Sequence, residues 1–282
     1  MALHTPKDFA VFFDTSEEGQ RLLEAAAHFA GGRNARLIGI WAVDGQTGEP
    51  VGGGAGAKAI EQADSGHEAA MAARLLRIGK SLGDAATRYG LNPEFRVIPS
   101  HEAGSTAALR ALHCDLLIVG YPHAPGLPFA WTYADLLEQS GEPLLIVPRL
   151  WKGGELARRI TVVWNAHRPT RRALADALPL LIAAQSVDLL IVDSEGSAEW
   201  DCERAAMDMA VNLARHGVQI DVQRIALQST SVADTVIMHA RDRGADMIVF
   251  VDCSRSRISD AMSRGITHSL LAEVPLPLFV PG

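Results

Sequence analysis

The stretch with the plainest chemical signal is "VGGGAGAKA", residues 51–59. Gly52, Gly54 and Ala57 fit the spacing G-x-G-x-x-G/A, in which glycines let the backbone approach a pyrophosphate, and Lys58 follows a glycine-rich run as a phosphate-binding lysine does. Two requirements fail. A dinucleotide turn leaves its strand directly, yet the preceding apolar run "ARLIGIWAV" ends at Val43. A P-loop lysine is followed by Ser or Thr, and residue 59 is alanine. The expectation is a mobile flap around Gly52–Gly56, on the ligand side of a sheet, that brushes a crevice without building it.

A second candidate is "CSRSR", residues 253–257. Ser254, Arg255, Ser256 and Arg257 are types that hold an anion through side chains. The competing reading is a solvated loop. Cys253 stands beside these arginines, which favour its thiolate, so a thiol redox sensor is one reading and a small loop-filling residue the other. The three cysteines, Cys114, Cys202 and Cys253, share no close spacing, which points to neither a disulfide framework nor a zinc site. His113 adjoins Cys114, but strand neighbours point to opposite faces, which disfavours a Cys–His dyad. His101, His123, His167 and His268 lack the i, i+4 spacing of a helical metal pair. No triad or carboxylate pair stands out, so no catalytic residue and no metal ligand is assigned.

The chain has 282 residues, 48% of them apolar and 21% charged, the balance of a globular protein. Its net charge of −7 argues against a general nucleic-acid binder, which needs a basic face. Apolar runs such as "LPLLIAA" fall far short of the roughly 18 residues of a membrane helix. The opening "MALHTPKDFAVFFDTSEE" does not read as a secretory signal, and the expected compartment is the cytoplasm.

Strand and helix patterns alternate along the chain. "FAVFF" (9–13) is continuously apolar, as a strand buried on both faces is. A helix follows with Leu22, Ala26 and Phe29 on one face, and Thr15 with Glu18 can form its capping box. "ARLIGIWAV" is a second strand. Met71, Leu75, Ile78, Leu82, Ala86 and Tyr89 mark a long helix that Gly90 should stop. "EFRVI" and "DLLIVG" are strands around a short helix, and Cys114 starts the second of them. "PLLIVP" is a fifth strand.

The pattern then repeats. "ITVVW" (160–164) matches "FAVFF", "RHGVQIDVQRI" matches "RYGLNPEFRVI", "ADMIVF" matches "CDLLIVG", and "PLFVP" matches "LLIVP". Pro179 should kink or split the second copy's first helix. The seam is "RLWKGGELAR". The reading is α/β, with two tandem five-stranded parallel-sheet domains, residues 1–150 and 151–282.

Several segments carry a specific resemblance: "FFDTSEE", "CDLLIVGYPH", "SGEPLLIVP", "VVWNAHRPTRRALADALPLL" and "SRSRISDAMSRGITHSLL". Over nearly its whole length the chain resembles the universal stress protein (UspA-type) family in its tandem bacterial form. The resemblance implies an adenine-nucleotide-alpha-hydrolase-like fold with strand order 3-2-1-4-5 in each half. It also implies that the halves pack through their fifth strands as an intrachain pseudo-dimer, and association of two chains stays open. Ligands in such sheets sit beyond the C-terminal strand ends, where strand order reverses. Asp14, Val43 and Gly120 would line the first crevice. Asn165, Ser254, Arg255, Arg257, Gly265 and Thr267 would line the second.

The family's nucleotide-binding members carry G-x2-G-x9-G-(S/T) after the fourth strand, where backbone amides cradle phosphates. In the first half Gly120 keeps the first glycine, but His123, Tyr133 and Ala134 take the other places, and Pro122, Pro125 and Pro128 remove donors. In the second half Val251 and Ser254 take the two glycine positions, and Arg264 with Gly265 takes the final pair. The first strand's acid is Asp14 in one half and Asn165 in the other. The expected function is a non-enzymatic regulatory or protective stress protein with no cofactor and little or no ATP binding. An adenine-nucleotide switch or weak ATPase at the first crevice, binding ATP or AMP, is the main alternative. A protein partner is expected and its identity is open. Asp14 is equally readable as an acid placed beside a helix N-terminus.

Overall fold

The computed structural model describes residues 6–31, 34–43, 57–99, 107–122, 124–128, 130–164, 168–193, 199–227, 232–250 and 276–282. They form two compact units, one comprising Lys7–Asp115 with Ala124–Ser140, the other Leu116–His123 with Gly141–Gly282.

In the first unit, β1 (Asp8–Phe12), β2 (Arg36–Ala42) and β3 (Asn92–Ile98) run parallel, with β2 between the others. Phe9, Val11, Phe12 and Phe13 are fully buried, as a continuous apolar run requires. Strand β3 begins before "EFRVI" and includes Pro93. An edge strand tolerates that residue because, among the described residues, its outer side pairs with no strand. Helix α1 (Glu17–Ala30) buries Leu22, Leu23, Ala26 and Phe29, and the Phe29 ring meets Phe9 edge-on at 5.8 Å between centroids. Its N-cap is Ser16, whose hydroxyl accepts the Gly19 N–H at 3.0 Å, so the cap falls one residue later than the expected Thr15. Extended backbone at Ser16 places its hydroxyl over the first turn. Helix α2 (Ala57–Tyr89) buries Ile78, Leu82 and Ala86 and ends at Gly90, which takes the left-handed φ of 65°. Short α3 (Ala107–Arg110) and α4 (Tyr133–Ser140) complete the unit. Thr132 and Asp135 cap α4 reciprocally: the Thr132 N–H reaches the carboxylate at 2.8 Å and the Asp135 N–H reaches the hydroxyl at 3.2 Å.

The second unit holds β4 (Leu116–Tyr121) and β5 (Leu144–Pro148), followed by the second repeat. That repeat runs β6 (Arg159–Trp164), α5 (Arg168–Ala183), β7 (Ser186–Asp193), α6 (Glu199–Arg215), β8 (Ile220–Ala226), α7 (Val232–Asp242), β9 (Met247–Phe250) and β10 (Leu278–Val280). Its strands lie in the order β8-β7-β6-β9-β10, which is 3-2-1-4-5 counted within the repeat. The sheet does not stop there. Strand β10 pairs antiparallel with β5, Leu278 opposite Ile146 and Val280 opposite Leu144, and β5 pairs parallel with β4. The two fifth strands thus meet, as the resemblance implies. Both fifth strands are short, apolar and buried, and pairing satisfies backbone groups that an open edge would leave bare. Pro179 lies inside α5, which is not split there. Leu174, Ala177, Leu180 and Leu181 are buried on both sides of it, and that packing offsets the missing donor.

One aspartate recurs at the same place in both repeats. The Asp115 carboxylate accepts the backbone N–H groups of Lys7 (2.6 Å) and Asp8 (2.9 Å), just where β1 starts. Within the other unit, Asp246 accepts those of Arg158 and Arg159, each at 3.1 Å, at the start of β6. Burial pushes the Asp246 carboxyl above the usual aspartate range, and the amide donors of Arg159, Arg158 and Ala157 oppose that push.

Candidate functional site

The C-terminal ends of β1 and β2 are covered by the chain's own loop. Ala124 to Leu127 form a turn closed by the Leu127 N–H on the Ala124 carbonyl at 3.0 Å, with Pro125 and Gly126 at its centre. Gly126 has φ of 78°, as the third position of a type II turn demands. Its carbonyl accepts the Ala42 N–H at 3.0 Å, directly at the end of β2. A Cβ on Gly126 would lie 2.3 Å from the Phe13 carbonyl oxygen, so the glycine backbone rests on the end of β1 with no room between. A second turn follows, the Trp131 N–H bonding the Pro128 carbonyl at 3.0 Å. It drops the Trp131 indole into the core, edge-on to Phe12 at 6.3 Å. The buried Trp131 Nε1 has no hydrogen-bond partner among the described residues.

The Asp14 carboxylate beside this plug is held mainly by its own turn. One Asp14 oxygen accepts the Ser16 N–H at 2.8 Å and the Ser16 hydroxyl at 2.5 Å, which fixes the cap of α1. The Asp14 main-chain carbonyl accepts from Gln20 at 2.8 Å. The other Asp14 oxygen faces the Arg74 guanidinium at 3.9 Å. Arg74 reaches there from α2 across the Trp41 ring, 5.2 Å from its centroid, in a cation–π contact. Gly19 is needed at this corner, because a Cβ there would fall 2.5 Å from the Asp14 carboxylate. Of the sequence candidates, Asp14 therefore stands in the turn that starts α1. Val43 continues the β2–β3 ladder through its N–H to Ile98 at 2.9 Å. Gly120 is buried within β4 of the other unit, opposite Val147.

Asn165, Ser254, Arg255, Arg257, Gly265, Thr267 and Cys253 lie outside the described residues, as does the glycine stretch 52–56. Cys114 is buried two residues ahead of β4 instead of opening it. Among the described residues no group of His, Cys, Asp or Glu is arranged to hold a metal ion, and no helix is long and apolar enough to cross a membrane. Sequence reading missed Gly126, Trp131 and Arg74. For Gly126 a signal existed: "PGLP" is a turn sequence, and its Pro-Gly pair asks for the type II geometry found.

Alternating strands and helices in two repeats, the second with a reversal of strand order beside its first strand, define a tandem α/β protein. The solved structures narrow this to one fold. A universal stress protein from Archaeoglobus fulgidus DSM 4304 superposes with a TM-score of 0.66 at 14% identity, over 97% of this chain and 95% of that one. A functionally unknown protein from Pseudomonas aeruginosa PAO1 superposes with a TM-score of 0.58 at 17% identity, over 99% and 94% of the two chains. The chain thus has the universal stress protein fold along nearly its whole length. No family model and no curated relative matches its sequence.

Proposed function

We propose that the chain is a tandem universal stress protein of the cytoplasm, with a non-enzymatic regulatory or protective role and little or no ATP binding. The observation that carries this reading is the Gly126 turn. Its carbonyl takes the Ala42 amide, and its backbone rests on Phe13, so the chain itself fills the first-crevice strand ends. A nucleotide would have to displace a hydrogen-bonded turn anchored by a buried tryptophan. The motif's glycines fall on His123 and Tyr133 and its Ser/Thr on Ala134, which points the same way, since these residues offer a poorer backbone cradle. The Asp14 carboxylate is taken up by Ser16 and faces Arg74, which stacks on Trp41 and whose buried Nε has no hydrogen-bond partner among the described residues.

Calorimetric titration of the intact chain with ATP, ADP, AMP and cyclic AMP tests the reading, and no heat at millimolar nucleotide is the expected result. Mass spectrometry of small molecules released on denaturation provides an independent check. An adenine nucleotide recovered at near one per chain refutes the claim and favours the nucleotide-switch alternative.

A further inference from the structure

Helix α6 has two faces. One buries Ala206 and Leu213, and beside them Glu203 is tied to Arg224 of β8 at 2.9 Å. On the side away from these stand Arg204, Met207, Asp208, Val211, Ala214 and Arg215, all exposed. Steps of three and four residues put them along one stripe of the helix. A surface helix keeps that side polar when water alone covers it. Here the middle of the stripe is apolar, with Met207 49% and Val211 55% exposed one helical turn apart. Among the described residues, Arg204, Asp208 and Arg215 have no ion-pair partner.

The stripe is ordered about Val211. At about 100° per residue, Met207 and Ala214 fall on one flank of Val211, and Asp208 and Arg215 fall on the other. Along the helix, Met207 and Asp208 precede Val211 by about 4.5–6 Å, and Ala214 and Arg215 follow it by the same amount. Arg204 lies one turn further out, outside the two opposite charges.

That order fits its own reversal. A second α6, turned end for end about a two-fold axis at Val211 and laid face to face, sets apolar flank on apolar flank and charged flank on charged flank. Val211 then meets Val211 of the second copy. Met207 falls beside the small Ala214 of the second copy, a large residue against a small one. Asp208 falls beside Arg215 of the second copy. Each match is within about one residue's rise of 1.5 Å, and the two-fold axis makes it twice.

We propose that the outer face of α6 is a homodimer interface, on which a second copy of this chain docks antiparallel through Met207, Val211 and Ala214, with Asp208 and Arg215 paired across the axis. An unrelated partner needs neither the change of charge sign about Val211 nor the match of Met207 with Ala214, whereas a second copy needs both. One helix face is at the small end of specific interfaces, so the dimer exchanges with monomer.

Sedimentation velocity of the intact chain from about 1 μM to about 1 mM tests this. The expected result is a rise from monomer to dimer and no further, because a two-fold contact closes on itself. Val211→Glu sets two carboxylates against each other at the axis and should keep the chain monomeric over that range. Asp208→Arg turns both charge pairs repulsive and should weaken dimerisation about tenfold. Adding Arg215→Asp exchanges the two signs and should restore it. All three side chains are exposed, so each variant should keep the parent's melting temperature at the lowest concentration. The proposal is overturned if the parent stays monomeric throughout, if Val211→Glu dimerises like the parent, or if the double variant dimerises no better than Asp208→Arg alone.

Discussion

Replacing Gly126 by alanine should lift the plug from the strand ends. The new Cβ would stand 2.3 Å from the Phe13 carbonyl oxygen, 2.7 Å from its carbon and 2.8 Å from the Phe13 nitrogen. These are backbone atoms inside a buried strand end, so no side-chain rotation relieves the overlap. Alanine also carries a cost of about 1 kcal/mol at the left-handed φ of 78°. If the turn retreats, the Ala42 N–H loses its acceptor, worth about 1–3 kcal/mol for a buried donor. The sum is a destabilisation of about 2–4 kcal/mol. Gly90→Ala is the internal control: its φ of 65° carries the same conformational cost, but nothing lies within 4 Å of its Cβ. That variant should lose only about 1 kcal/mol. Urea unfolding reads the difference in midpoint, and amide hydrogen exchange at Ala42 reads the bond itself. Equal midpoints for the two variants, with the Ala42 amide still protected, would refute the close-packed turn.

Asp115→Ala frees the amides of Lys7 and Asp8 at the start of β1 and should cost about 1–3 kcal/mol in a thermal or urea melt. Glu94 is held below the usual carboxylate range, first by its bond from Arg96 and then by Arg36, with desolvation opposing. A depressed folded pKa contributes stability above the unfolded value of 4.5 that is lost as pH falls through the folded value. Glu94→Gln should therefore lose under about 1 kcal/mol at neutral pH, with the gap to the parent closing in melts well below pH 4.5. Cutting the chain near residue 150 separates β5 from β10 and bares buried apolar strand edges on both pieces, so size-exclusion chromatography should show association or aggregation. Two freely soluble monomers would contradict that pairing.

The sequence by itself determined the repeats, because their signals are local. Continuous apolar runs such as "FAVFF" and "ITVVW" can only be strands covered on both faces, and the spacing through Ile78, Leu82 and Ala86 can only be one face of a helix. Asp115 and Asp246 were in register in the two copies before any carboxylate was seen to hold a strand start. The cap of α1 slipped from Thr15 to Ser16 because adjacent hydroxyls compete and backbone geometry chooses between them. Pro179 stayed inside a helix because burial on both sides outweighs one missing donor. Tertiary structure alone decided what covers the ends of β1 and β2. Aligning a glycine motif pointed to position 123, whereas the glycine that matters is Gly126, and its role depends on Ala42 and Phe13, distant in sequence. The same holds for the strand starts of the second repeat. Arg159, Thr161 and Ser186 look unremarkable in a string of residues. Register between β6 and β7 sets a guanidinium against a serine and leaves a buried hydroxyl without a partner among the described residues, and register is a property of paired strands that no single stretch of sequence contains.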